Sequence, residues 1–169
     1  MIDQFPMLID VADCHRLRRA YDRDAAADVK YVYRDRFRAG SAAAEIIDRI
    51  TELAQLRASS VMPLIEPETV LMARLGVGHF HSKHADCERL TADGRWVPNH
   101  TPHRCMSAIV YLNDDFEGGE IVFEQHGLTI KPRPGLMLVF PSDRHHLHEV
   151  RPVTAGTRYN ISIWFKRSE

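Results

Sequence analysis

Apolar and polar positions alternate in two different ways along this chain, and the change falls near residue 66. Before it, Leu17, Ala20 and Tyr21 recur at three- and four-residue intervals and predict a helix from about residue 14 to Ala27, with Asp13 as its N-cap and its arginines on a solvated face. Ser41 caps a second predicted helix, in which Ala44, Ile47, Ile50, Leu53, Ala54 and Leu56 form the apolar stripe. A short apolar run at residues 5–10 reads as a first strand, and residues 29–33 alternate weakly, as a strand would. Nothing in either helix carries chemistry. Both are expected to pack on one face of a sheet.

From Glu68 onward the apolar residues fall in short runs separated by Gly, Pro, Asn or Asp: 69–75, 104–112, 120–124, 128–131, 136–141, 145–150 and 158–165. Seven or eight strands after two helices predict a mainly β fold, a double-stranded β-helix (a cupin-like jelly roll) buttressed by two N-terminal helices. A chain of 169 residues is expected to form one domain, with 1–66 as helical support and 67–169 as the jelly-roll core. Gly118-Gly119 and Pro134-Gly135 mark tight connections. Residues 87–103 form the one long irregular stretch, polar, with an Asp93-Gly94 turn and Pro98 and Pro102, and are expected to act as a substrate lid.

Composition narrows the possible partners. Lys and Arg total 22 against 23 Asp and Glu, so no basic field gathers nucleic acid or an anionic membrane, and neither partner is expected. Cys14, Cys87 and Cys105 are widely spaced without a CxxC pair, which argues against a disulfide framework and suits a reducing compartment. The first residues show no basic region followed by a long apolar run, and no stretch approaches the roughly 18 apolar residues of a membrane span. The expected location is the cytoplasm.

The candidate chemistry is in His84-Ala85-Asp86. An imidazole and a carboxylate two apart on an extended segment point to the same side, so they can grip one ion. A histidine from a distant strand would complete two histidines and one carboxylate on one face of an octahedron, an arrangement suited to non-haem Fe(II). His145, His146 and His148 compete for that place, and on a strand His146 and His148 would share one face. The same three ligands would also serve a zinc-dependent hydrolase or a non-catalytic cupin-like binding domain.

The stretches Gly78-His79-Phe80-His81-Ser82-Lys83-His84-Ala85-Asp86, Tyr111-Leu112-Asn113-Asp114-Asp115-Phe116-Glu117-Gly118-Gly119-Glu120, Lys131-Pro132-Arg133-Pro134-Gly135 and His148-Glu149-Val150-Arg151-Pro152-Val153 occur in one order. Over about residues 70–166 the chain resembles the catalytic domain of the prolyl hydroxylases, which are Fe(II)- and 2-oxoglutarate-dependent oxygenases. The Asn-Asp-Asp-Phe-Glu-Gly-Gly-Glu run and His-Ala-Asp-Cys are especially similar to prolyl 3-hydroxylases. The resemblance implies a dioxygenase using Fe(II), 2-oxoglutarate and O2, with ascorbate as a reductant, that hydroxylates an unactivated C–H and releases succinate and CO2. It implies His84, Asp86 and His148 as the metal ligands, His148 being chosen by the motif that follows it. It implies Arg158, ten residues later, as the cation for the far carboxylate of 2-oxoglutarate, helped by Tyr111, with Ser107 lining the same pocket. Peptidyl proline, a free amino acid and a natural-product scaffold are all compatible substrates, and the short chain leans toward a small molecule. One departure stands out: where these hydroxylases carry tyrosines before the first histidine, this chain has Arg74, Leu75 and His81. His81 is a candidate for the lost polar contact.

Overall fold

The computed structural model describes residues 1–26 and 28–168. The strands are β1 Asp3–Phe5, β2 Tyr31–Tyr33, β3 Ile65–Leu75, β4 His81–His84, β5 Glu88–Leu90, β6 Trp96–Pro98 and β7 Arg104–Tyr111. They continue with β8 Phe116–Gly118, β9 Ile121–Phe123, β10 Leu128–Ile130, β11 Met137–Pro141, β12 His148–Val150, β13 Val153–Gly156 and β14 Arg158–Arg167. Helix α1 is Val11–Asp24 and α2 is Ala42–Ser59. Six strands in the order β1-β11-β7-β14-β3-β2 face four in the order β10-β9-β12-β4, every pairing antiparallel. The result is the expected jelly roll, with both helices on the outer face of the larger sheet.

Strand alternation sorts the side chains of that larger sheet. Met106, Ala108 and Val110 of β7, Met137 and Val139 of β11, and Ile161, Ile163 and Phe165 of β14 join Leu17, Ile47 and Ile50 in the core beneath the helices. The intervening Ser107, Ile109, Leu138, Phe140, Arg158 and Asn160 point to the space between the sheets. A slip of one residue in β14 would exchange Arg158 and Asn160 for Tyr159 and Ile161, so burial of the helix-facing set also fixes the polar set.

Several local expectations change. The first strand is Asp3–Phe5, not 5–10: Pro6 has no N–H to donate, and Met7, at φ 57°, turns the chain away. Asp10, not Asp13, caps α1 by accepting from the backbone N–H of Asp13 at 2.7 Å. Asp13 is instead buried in the first turn, where Arg16 and Arg49 bind its two oxygens and tie α1 to α2. The predicted end of that helix at Ala27 lies outside the described residues. Ser41 does cap α2. Leu56 is exposed, because it lies about 200° around the helix from buried Ala54. Residues 87–103 are not irregular: β5 and β6 pair as a hairpin, with Glu88 opposite Pro98 and Gly94, at φ 81°, in its turn. The strand expected over 145–150 begins only at His148, after a 3₁₀ turn at Arg144–His146. The segment before residue 67 supplies two strands of the major sheet as well as the helices.

Candidate active site

Backbone pairing brings the metal-ligand candidates together. β4 and β12 are neighbours, and His148 lies directly opposite His84, with ring centroids 4.4 Å apart. Asp86 follows two residues after His84, just past the end of β4. His84 Nε2 is 3.6 Å from Asp86 Oδ1 and His148 Nε2 is 3.9 Å from Oδ2, and one ligand atom from each residue lies within 4.8 Å of the others.

The chain holds these groups in the state a cation needs. His84 Nδ1 meets the carbonyl of Ser82 at 2.7 Å, and His148 Nδ1 meets that of His146 at 3.0 Å. A carbonyl only accepts, so each Nδ1 carries the proton and each Nε2 keeps its lone pair for a metal. Burial depresses the His148 pKa, while for His84 burial is outweighed by the neighbouring Asp86 carboxylate, which raises it. Burial also opposes the charge on Asp86, yet His84, His148 and Ser107 hold its carboxyl far below the usual range. Ser107 Oγ donates to Asp86 Oδ2 at 2.6 Å, and Ser142 Oγ lies 2.8 Å from Ser107 Oγ. Phe123 and Phe140 pack against the His148 ring at 5.5 and 4.9 Å.

The same cavity is lined by Arg158, Asn160, Ser107 and Ile109 beside the three ligand candidates. Arg158 is only 2% exposed. Its Nε donates to the carbonyl of Gly119 at 3.1 Å and one guanidinium nitrogen donates to Asn160 Oδ1, but no carboxylate among the described residues pairs with it. Burial lowers its pKa accordingly. The Tyr111 ring lies 5.1 Å from the guanidinium carbon, and the buried Tyr111 hydroxyl, near enough to Arg158 for each to influence the other's charge, makes no well-aligned hydrogen bond among the described residues. A buried guanidinium without an anion beside an orphaned hydroxyl is costly unless a ligand carboxylate completes it. These residues therefore fit 2-oxoglutarate as the His-Asp-His cluster fits a divalent ion.

Other sequence-derived candidates lie elsewhere. His146 does not face the cavity: its segment is a 3₁₀ turn in which strand alternation has no meaning, and its ring bonds to Asp143 and stacks on His126. His145 is exposed. Among the described residues, none of 87–103 lines the cavity, and the hairpin end instead braces the site, Thr101 Oγ1 donating to the Asp86 carbonyl at 2.8 Å. His81 does line the cavity, and the hydroxyl of Tyr31 meets its Nε2 at 3.1 Å. Tyr31, Ser142, Asn160 and the Gly119 carbonyl were not singled out from sequence. Asn160 was findable, since it shares the Arg158 face two residues on. Ser142 and Tyr31 left no local signal.

The family model described as "2OG-Fe(II) oxygenase superfamily" matches residues 70–166, more than half of the chain. Rat prolyl 3-hydroxylase 2 is 42% identical over 67 residues, covering 37% of this chain and 10% of that protein. Mouse prolyl 3-hydroxylase 3 is 33% identical over 137 residues, covering 71% of this chain and 19% of its own length. The chain thus spans about a tenth to a fifth of these relatives. A viral collagen prolyl hydroxylase from Paramecium bursaria Chlorella virus-1, solved with 2-oxoglutarate, superposes with a TM-score of 0.78 at 21% identity, over 99% of this chain and 96% of that one. A Pseudomonas putida prolyl-4-hydroxylase does so with a TM-score of 0.71 at 20% identity, over 99% and 93%. The matched segment contains the ligand cluster, the Arg158 cradle and most strands of the two sheets that hold them, and the chain belongs to the 2OG-Fe(II) oxygenase superfamily, with a likeness to its prolyl hydroxylases.

Proposed function

We propose that the protein hydroxylates an unactivated C–H bond of a prolyl or proline-like substrate, borne on a peptide or free, while 2-oxoglutarate is converted to succinate and CO2. The observation that carries this reading is Arg158, buried without an anion in the cavity that His84, Asp86 and His148 also face. The prolyl part rests on the relatives, which are named for that substrate. A ferrous ion with 2-oxoglutarate and O2 supplies the oxidising chemistry, and ascorbate would keep the iron reduced. His84, Asp86 and His148 hold the ion. Arg158 takes the far carboxylate in a charge-assisted pair, and Tyr111 adds a hydroxyl donor. Ile109 and Phe140 line the cavity and help keep it free of water. A reducing cytoplasmic setting suits both the ferrous ion and the free thiols of Cys14, Cys87 and Cys105.

Succinate release measured with iron, without iron and with zinc, against blocked prolyl peptides, free proline and small proline analogues, tests this. Iron-dependent succinate formation stimulated by a prolyl compound is expected. Turnover supported by zinc, or succinate formation indifferent to every prolyl compound, would remove the reading.

A further inference from the structure

Asn160 lies two residues after Arg158 on β14 and, by alternation, on the same face, toward the cavity. It is 3% exposed and sits inside the larger sheet, opposite Ala73 of β3 and Tyr111 of β7. A guanidinium only donates, so the amide atom that meets Arg158 is Oδ1, and Nδ2 is left to donate to Ser162 Oγ at 2.9 Å. The second contact of the guanidinium is Nε donating to the Gly119 carbonyl at 3.1 Å, and Gly119 stands so close that a Cβ there would lie 3.0 Å from Arg158 Cδ. Both acceptors are neutral. They aim the group without cancelling its charge, and its remaining N–H groups are left for an anion. A carboxylate at position 160 would have the same shape and offer the same acceptor oxygen, but it would pair with Arg158 and neutralise it.

We propose that Asn160 is a positioning residue that serves Arg158 as an uncharged counterpart, holding the guanidinium in place while leaving its charge for the second carboxylate of a 2-oxo acid. This rests on the dioxygenase reading above. Ser162 fixes the amide by accepting from Nδ2, so the acceptor oxygen stays turned to Arg158. The residue acts through Arg158: it decides how strongly the cavity prefers a 2-oxo acid with a second carboxylate over one without. It has no contact with the His84, Asp86 and His148 cluster among its hydrogen bonds, so the metal is left to those residues.

The full chain loaded with Mn(II) and kept free of oxygen tests this without turnover. Calorimetry compares 2-oxoglutarate with 2-oxopentanoate, which has the same carbon chain but no second carboxylate, and a thermal melt of the ligand-free protein reads stability. Asn160→Asp should weaken 2-oxoglutarate on the order of a hundredfold, because its carboxylate already fills the guanidinium. It should leave 2-oxopentanoate nearly unchanged and raise the ligand-free midpoint, a combination that a merely structural role would not give. Asn160→Ala keeps the charge and loses only the aim, so it should weaken 2-oxoglutarate by roughly tenfold without raising the midpoint. Asn160→Asp that binds 2-oxoglutarate as wild type does, or that loses both acids equally, overturns the inference and leaves the dioxygenase reading intact. Wild type that binds no 2-oxoglutarate overturns both. Should neither variant fold, a crystal structure of wild type with Mn(II) and 2-oxoglutarate decides: Asn160 Oδ1 still accepting from Arg158 beside the ligand carboxylate supports the inference, and an amide turned away from Arg158 overturns it.

Discussion

At the β1–β10 side of the space between the sheets, Ile121, Phe123, Ile130, Leu138 and Phe140 close on one another with Ile2 and Leu128 packed against them. At the β2–β4 side, the same sheets enclose three imidazoles, a carboxylate, a guanidinium and an asparagine. The first half satisfies itself, since its backbone groups are paired in the sheets and the side chains named there are apolar and gain from leaving water. The second is satisfied only in part. Arg158 has no anion and the Tyr111 hydroxyl makes no well-aligned hydrogen bond among the described residues. Tyr111 is the junction, with its ring in the apolar cluster and its hydroxyl in the polar half. The contrast teaches that one half of the space between the sheets adds to the core beneath the helices in holding the fold, and that the other half is completed by ligands.

The sharpest way to break this contrast is to remove a metal ligand. His84→Ala or His148→Ala should abolish Mn(II) and Fe(II) binding with the fold intact, whereas His145→Ala should bind normally; calorimetric titration reads all three. Retained binding in His148→Ala with loss in His145→Ala would move the third ligand.

Truncation in the two halves should next have opposite signatures. Phe123→Ala, in the apolar half, should cost about 3–5 kcal/mol of unfolding free energy, measured by urea denaturation. Arg158→Met should leave stability level or raised, since it deletes an unpaired buried charge. It should instead weaken 2-oxoglutarate binding to the Mn(II)-loaded, oxygen-free protein by about 3–5 kcal/mol, a hundredfold or more. Arg158→Lys should lose less, because charge remains and only the bidentate fork goes. Equal 2-oxoglutarate affinity in wild type and Arg158→Met would remove the cosubstrate site from Arg158.

A smaller effect is expected on adding ligands. Mn(II) with 2-oxoglutarate at about a hundred times its Kd should stabilise the protein by about 2.7 kcal/mol, seen as a rise in the thermal midpoint that Arg158→Met abolishes. Smallest, Tyr111→Phe should weaken 2-oxoglutarate by about 1.5–3 kcal/mol and yet stabilise the ligand-free protein, because the orphaned hydroxyl is gone. Loss of stability in both states would mean that Tyr111 belongs only to the apolar half.

Much of this was legible in local sequence because periodicity and spacing are local properties. The helix-facing stripe of Ile47 and Ile50, the Ser41 cap and the His84-Ala85-Asp86 triplet each depend on residues a few positions apart. The resemblance to prolyl hydroxylases supplied the distant partners His148, Arg158 and Tyr111. What pattern could not supply was which elements meet. Tyr31 reaches His81 because β2 and β4 are the outer strands on one side of two different sheets, joined there across the cavity. Ser142 reaches Asp86 because β11 ends beside the end of β4. His146 leaves the cavity because a 3₁₀ turn breaks the strand that alternation assumed. These contacts join residues 50 and 56 positions apart or depend on a turn whose geometry is settled by its neighbours. No local propensity encodes such pairings, and only the packing of one sheet over the other decides them.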